Sequence, residues 1–449
     1  MFKVVKAMKT ILEKNETAAK LCGKQRIKSD VDCRLISFCI TLPCEDGTLL
    51  YHTLTCELLL LEKGETIQNC ADTLKANWFL VPISFDERKW ARDIRRIATL
   101  FVKKTEALTE FTVFTTTDCN ARCCYCYELG YDRVSMTAQT AHDAAGYIEK
   151  VSKGQEVKLH WFGGEPLFNQ EAIEIITSDL RKRNVTFHSI ITSNGYYLDA
   201  ETSKKAVEQW NLKSVQISLD GTKNVYNRTK AYINESGDAY ERIMSNIYSA
   251  LDCGISVTVR LNVDKHNTED MLMLCDDLSR RFAGRKGFAV YAEQVRAFHK
   301  PVKQEAAQAE PTDNYIALVK KIDDLNLGIN SKLPGGIRVN CCMADNDSAI
   351  AILPDGRLGK CEHIDNNEII GGIYDTHRDQ ALLHAWKEQV WFSECEDCPL
   401  YPQCVNLKMC DWSKLGCTGP RRAMRMYQLE QKILAAYWEH KANYAELTG

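Results

Sequence analysis

The sequence predicts an α/β protein: an incomplete (β/α)6 TIM-like barrel, a small α+β domain ahead of it, and a cysteine-organised region behind. Three observations carry this. Between Phe111 and Val295 short β-rich runs alternate with helical runs, the pattern of a parallel sheet with crossover helices. The run yields six βα units, two fewer than a closed eight-stranded barrel needs, so one side is left open to a large substrate. Beyond it, Cys341, Cys342, Cys361, Cys395, Cys398, Cys404, Cys410 and Cys417 follow one another with little periodic structure between them. The boundaries read as 1–105, 106–300 for the barrel, 301–335 for a bridging segment and 336–449 for the cysteine-rich region.

Composition bounds the chemistry. At 449 residues the chain exceeds one ordinary core, and 45% hydrophobic with 26% charged residues describes a globular protein. No stretch approaches the roughly 18 apolar residues of a membrane span. A net charge of −3 gives no footprint for nucleic acid, although residues 1–29 are locally basic. The N-terminus has scattered lysines and no apolar core before a cleavage site, so a cytoplasmic location is expected. There, 20 cysteines are poor candidates for a disulfide framework, and metal is the better explanation.

Taken in order, Leu35–Leu42 and Leu49–Leu61 read as a strand pair around Asp46-Gly47, followed by helices near 65–76 and 86–103. Cys22, Cys33, Cys39, Cys44, Cys56 and Cys70 fit no compact ligand set and read as buried thiols. The barrel strands are expected at Phe111–Thr117, Val157–Phe162, Thr186–Thr192, Ser214–Leu219, Ile255–Val263 and Gly287–Gln294. Amphipathic helices are expected near 136–150, 169–183, 200–209, 238–252 and 267–282. The polar segment 297–315, with Pro301 and Pro311, reads as a linker. At the end, Pro420 stands near a helix start, and Met426, Leu429, Ile433 and Tyr437 form one core-packing stripe.

Cys119, Cys123 and Cys126 follow the first strand with C-x-x-x-C-x-x-C spacing. A cubane [4Fe–4S] cluster offered only three thiolates keeps one iron open for a small molecule. The residues alone also admit buried free thiols, or a four-ligand zinc site with Cys124 as the fourth member. Gly163-Gly164-Glu165-Pro166 follows the second strand. Its glycines let the backbone approach a ligand, and its carboxylate can accept from an amino group. Ser193-Asn194-Gly195 and Ser218-Leu219-Asp220-Gly221 end the third and fourth strands. Each is an ordinary turn by itself, but they recur at the strand ends where such barrels collect reactive groups.

Over roughly residues 108–420 these motifs resemble radical SAM enzymes with a C-terminal SPASM domain. The resemblance rests on the cysteine loop with its aromatic Tyr125, the G-G-E-P and the cysteine-rich tail. It implies that Cys119, Cys123 and Cys126 hold a [4Fe–4S] cluster whose open iron binds S-adenosylmethionine. Tyr125 would lie against adenine, Gly163, Gly164, Glu165 and Pro166 would receive the amino group, and Ser193, Asn194 and Ser218 would face ribose or carboxylate. Arg228 would be a further carboxylate partner, and Cys124 a packed thiol. Gly356 precedes Cys361 by the expected four residues, and Cys395, Cys398 and Cys404 keep their spacing. Five residues separate Cys404 from Cys410 where the family has three, and Cys417 follows closely. Two auxiliary [4Fe–4S] clusters are implied, an outer one on Cys395, Cys398, Cys404 and Cys417 and an inner one on Cys361, Cys410 and one or both of Cys341 and Cys342.

SPASM enzymes mostly modify peptides or proteins. The runs LLYHTLTCELLLL and NWFLVP resemble the N-terminal region of maturases of ribosomally made peptides (RiPPs), such as the thioether-forming sactipeptide and ranthipeptide enzymes, where a leader segment is recognised by strand addition. The resemblance implies a precursor-peptide substrate, an electron donor such as flavodoxin or ferredoxin, and reductive cleavage of S-adenosylmethionine to a 5′-deoxyadenosyl radical. A Cys thioether crosslink is the first expectation; epimerisation or carbon–carbon crosslinking would use the same apparatus. An anaerobic sulfatase-maturating enzyme, making formylglycine from Cys or Ser, is the alternative, although such enzymes begin close to the cluster loop. A non-catalytic iron–sulfur electron carrier would need no G-G-E-P beside a three-thiolate loop. No residue announces itself as the acid–base group.

Overall fold

A computed structural model describes residues 8–16, 31–101, 106–126, 128, 131–233, 237–264, 266–295, 312–329, 332–363, 368–395, 398–414, 416–417 and 419–448. Cys22 and most of the 297–315 linker lie outside the described residues. The chain forms two compact units. One comprises Met1–Lys104, Asn330–Cys341 and Gln389–Gly449; the other comprises Thr105–Ile329 and Cys342–Glu388.

In the first unit, β1 (Lys9–Leu12), β3 (Cys39–Cys44), β4 (Gly47–His52) and β5 (Leu58–Glu62) form an antiparallel sheet in the order β1-β5-β4-β3. β2 (Cys33–Leu35) pairs antiparallel with β6 (Leu80–Pro82) in a separate two-stranded sheet. The Asp46-Gly47 turn forms as expected. Gly47 has φ +153°, and a Cβ there would stand 2.0 Å from the Leu61 carbonyl oxygen, so only glycine fits. The run Leu49–Leu61, read as one strand, is instead two. It breaks at a buried turn in which His52 Nδ1 accepts from Leu54 N (3.3 Å) and Thr55 N (3.4 Å), with Cys56 left-handed at φ 60°. Helices cover Ala71–Ala76 and Glu87–Phe101.

The cysteine-rich tail does not stand alone. Ile40, Leu49, Tyr51, Leu58 and Leu60 share a core with Cys398, Leu400, Leu429, Ile433 and Tyr437, and Phe38 and Trp78 share another with Cys395 and Tyr401. Polar ties reinforce both: Thr53 Oγ1 donates to Pro399 O (2.5 Å), Gln403 Nε2 to Thr53 O (2.6 Å) and Arg95 Nη2 to Pro402 O (2.6 Å). The division of the chain thus differs from the four consecutive segments read from sequence. Residues 342–388 belong with the barrel, and 389–449 with the N-terminal sheet. The cause is the apolar stripe of the last helix (Gly419–Thr448), which buries Leu429, Ile433 and Tyr437 in that sheet's core.

In the second unit, β7 (Glu110–Thr116), β8 (Val157–Gly163), β9 (Phe187–Ser193), β10 (Leu212–Leu219), β11 (Ser256–Val263) and β12 (Phe288–Gln294) pair in parallel in sequence order. Each lies within two residues of its expected bounds, and the predicted crossover helices lie between them. The sheet stays open, as six units require. Sequence reading missed its extension on the β7 side: β13 (Ala349–Ile352) runs parallel to β7, and β14 (Arg357–Gly359) and β15 (Gly371–Gly372) continue antiparallel. Along β10, Val215, Ile217 and Leu219 are buried, while Ser214, Gln216 and Ser218 alternate onto the inner face.

Candidate functional site

The cysteine loop leaves the C-terminal end of β7 and is fastened from several sides. Ala121 N donates to Cys119 Sγ (3.3 Å), Asn194 Nδ2 donates to the same sulfur (3.7 Å) and to Asn120 Oδ1 (2.8 Å), and Cys126 N donates to Cys123 O (3.1 Å). Arg122 N donates to Lys230 O (2.8 Å) and Ile233 N to Asn120 O (2.8 Å). Cys119, Cys123 and Cys126 stand close enough to feel one another's charge. Burial pushes the Cys119 and Cys126 thiols up to about 12 and raises Cys123 as well. Cys124, expected to be packed, is exposed, because its neighbour Tyr125 takes the inward position. Among the described residues no three Cys, His, Asp or Glu side chains are gathered tightly enough to share one ion. A single zinc would require that; a cubane, which offers a separate iron to each thiolate, does not.

The glycines of G-G-E-P serve the chain's own close approach. Gly163 (φ +132°) would place a Cβ 2.1 Å from Thr116 O, and Gly164 would place one 2.4 Å from Asp118 O, so the cluster loop rests directly on this turn. Glu165 N donates to Asp118 O (2.9 Å). The Glu165 carboxylate is fully buried. It accepts from Ser193 Oγ (2.8 Å), Leu167 N (3.1 Å) and Asn194 N (2.7 Å). Burial still dominates and raises its pKa to about 7. Glu165 braces the ends of β8 and β9, and Ser193 and Asn194 are its partners. Pro166 joins the brace by accepting from Thr115 Oγ1 (2.9 Å).

On the other side of the loop, Tyr125 enters a buried charged network. Its hydroxyl donates to Asp220 Oδ1 (2.6 Å) and accepts from Lys230 Nζ (3.1 Å) and Asn262 Nδ2 (3.0 Å). Lys230 also donates to Ser218 Oγ (2.7 Å) and pairs with Asp220 Oδ2 (3.1 Å), both side chains being almost wholly buried. The cation brought to Ser218 is thus Lys230, and Arg228, expected there, is exposed two residues earlier. A sequence signal existed: Tyr226 and Lys230, four residues apart, occupy the buried face of the short helix Lys223–Lys230.

Deeper on the same inner face, Arg260 lies opposite Ser218 on β10 and Tyr291 on β12. Tyr291 OH donates to Gln216 Oε1 (2.8 Å), and His160 Nε2 meets Thr192 Oγ1 (2.9 Å). Burial lowers His160 to about 4, so it is neutral near pH 7. Arg260 Nε is buried without a hydrogen-bond partner among the described residues. Facing Arg260 is Glu362, next to Cys361, whose pKa burial raises. Glu362 is the carboxyl that sequence reading missed, because its partner is distant in the chain.

The remaining cysteines divide between the units. Cys395 and Cys398 are buried, Cys404 and Cys417 half-buried, and each of the first two feels the charges of Cys404 and Cys417. These four are brought together in one unit, which also holds half-buried Cys410 and exposed Cys341. Exposed Cys342 and half-buried Cys361, whose sulfur accepts from His363 N (3.3 Å), belong to the barrel unit.

Residues 113–278, from β7 through the helix after β11, match the radical SAM superfamily. The chain carries a radical SAM domain. Such a domain implies a [4Fe–4S] cluster and S-adenosylmethionine, and the three gathered thiols of the loop fit the cluster. Among curated proteins, the radical SAM region is similar to an Fe-coproporphyrin III synthase of Methanosarcina barkeri (21% identical over 42% of this chain and 46% of the relative). It is also similar to a probable GTP 3′,8-cyclase of Methanocaldococcus jannaschii (29% over 36% and 53%). The chain spans about half the length of these curated relatives. Among solved structures, anSMEcpe with bound AdoMet and a Cp18Cys peptide shares the fold over 74% of this chain and 99% of that one (TM-score 0.55, 14% identical). Streptococcus suis SuiB bound to S-adenosylmethionine shares it over 88% and 98% (TM-score 0.53, 13% identical). No described helix is long and apolar enough to cross a membrane.

Proposed function

We propose that the chain is a radical SAM peptide maturase that oxidatively modifies a ribosomally made precursor peptide, forming a Cys thioether crosslink. The observation that carries this is the three-thiol loop, fastened at the strand ends by Asn194 and the Tyr125–Asp220–Lys230 network, above a polar inner wall in an open sheet. The fold shared over 74% of the chain with anSMEcpe, whose structure holds a Cp18Cys peptide, supports a peptide substrate.

When bound, the cluster and S-adenosylmethionine supply a 5′-deoxyadenosyl radical. Cys119, Cys123 and Cys126 would hold that cluster, with Ser218 and Lys230 beside it to orient the cofactor's polar groups. Thioether formation removes two hydrogens, one as an atom and the thiol's as a proton, and releases one electron. Glu362, which faces Arg260 and whose pKa burial raises, is the group suited to take the proton. Cys395, Cys398, Cys404 and Cys417, all within one unit, would hold an auxiliary cluster, whose chemistry is one-electron transfer. Flavodoxin or ferredoxin would supply the initiating electron in the cytoplasm, and the peptide's leader segment would add a strand to the N-terminal sheet.

Formylglycine formation is the second reading, favoured by the fold shared with peptide-bound anSMEcpe. Both readings require the cofactor chemistry. Cys123→Ala, incubated anaerobically with dithionite and S-adenosylmethionine, is expected to form no 5′-deoxyadenosine while keeping auxiliary iron. Undiminished 5′-deoxyadenosine would overturn the loop assignment.

A further inference from the structure

The last helix begins beside the four-cysteine set with three arginines facing it. Arg425 Nη1 donates to Cys404 Sγ at 2.9 Å. Arg421, only 8% exposed, faces Cys404, Cys417 and Cys410, and Arg422 faces Cys398. All belong to one compact unit. The N-terminal end of the helix Gly419–Thr448 adds the positive pole of its dipole on the same side.

We infer that Arg425, supported by Arg421 and Arg422, is a cationic cap that raises the reduction potential of the cluster held by Cys395, Cys398, Cys404 and Cys417. The inference rests on the proposed ligand role of those cysteines. A cluster gains negative charge on reduction, and hydrogen bonds to its sulfurs or nearby cations stabilise the reduced form. Guanidinium is the fitting group. It remains charged when buried, and its planar fork can reach one sulfur while its charge acts on the others. Arg421 is buried although Arg425 repels it, and the negative charge of a bound cluster would offset both guanidiniums. The cap makes this set an acceptor of an electron rather than a low-potential donor. The three thiols of the radical SAM loop have a different setting, in which Asp220 largely offsets Lys230.

The test uses the full chain with Cys119, Cys123 and Cys126 replaced by Ala, so that only auxiliary clusters titrate with dithionite under electron paramagnetic resonance. Arg425→Met is expected to lower one of the couples tenfold in its reduction equilibrium, about 59 mV for one electron, and Arg425→Lys by less. Unmoved couples at full iron and sulfide would overturn the cap. If Arg425→Met loses a cluster, Arg425→Lys and Arg421→Lys decide: a lowered couple supports the inference, and an unchanged one refutes it. Iron and sulfide retained in full by Cys398→Ala would instead refute the ligand reading itself, independently of the arginines.

Discussion

The radical SAM loop and the four-cysteine set are both short cysteine-rich segments, yet they are held by opposite means. The loop is fastened by buried polar contacts: Glu165 with Ser193 and Asn194, and Tyr125 with Asp220, Lys230 and Asn262. The four-cysteine set is held by apolar packing, with Cys395 and Cys398 inside cores built from the N-terminal sheet and the last helix. A buried polar network fixes orientation but fails when one partner is removed. An apolar core tolerates local change but ties the set to elements far away in sequence. Deleting residues 1–105 would therefore strip the tail of its core, and point substitutions are the fair probe of leader binding.

The largest expected effect is on the polar side. Lys230→Met leaves Asp220 buried and uncompensated, and should cost about 3–5 kcal/mol, read from denaturant unfolding; a cost below about 1 kcal/mol would show the network to be solvated. On the apolar side, Ile433→Ala should cost about 3 kcal/mol. It should also lower auxiliary iron content while leaving the radical SAM cluster's signal, and equal loss of both would break the distinction.

Each unit also buries one carboxyl raised to about 7, Glu165 in the barrel and Glu57 in the N-terminal sheet. A folded pKa above the unfolded value of about 4.5 means the folded state binds the proton more tightly. The stability contribution is then full below pH of about 4.5 and is lost as pH rises through about 7. For wholly buried Glu165 this amounts to roughly 3 kcal/mol. Glu165→Gln should flatten the unfolding profile of the barrel unit over that window, and an unchanged profile would show the side chain to be ionised throughout. The smallest effect is expected for exposed Arg228→Ala, within about 0.5 kcal/mol and without change in the dissociation constant for S-adenosylmethionine. A tenfold weaker constant would restore Arg228 in place of Lys230.

The barrel was legible because each strand and helix announces itself by local periodicity, and the cysteine loop because its ligands lie within one turn of chain. Lys230 and Glu362 were not, since each is singled out only by the partner the fold brings to it, Asp220 from the turn after β10 and Arg260 from β11. The split of Leu49–Leu61 was hidden by a run that stays apolar through a turn whose backbone is satisfied by His52. The grouping of tail and N-terminal sheet was hidden for the same reason as β13: a short apolar segment reveals that it needs cover, not which partner gives it. Glu165 was legible as a site residue but not as a brace, because its three donors come from two strand ends.

The most direct test of peptide maturation is anaerobic incubation of the reconstituted protein with reductant, S-adenosylmethionine and a cysteine-bearing precursor peptide, followed by tandem mass spectrometry. The account predicts loss of two hydrogens with fragmentation blocked between the joined residues. An intact peptide alongside abundant 5′-deoxyadenosine, or a cysteine converted to an aldehyde, would contradict it.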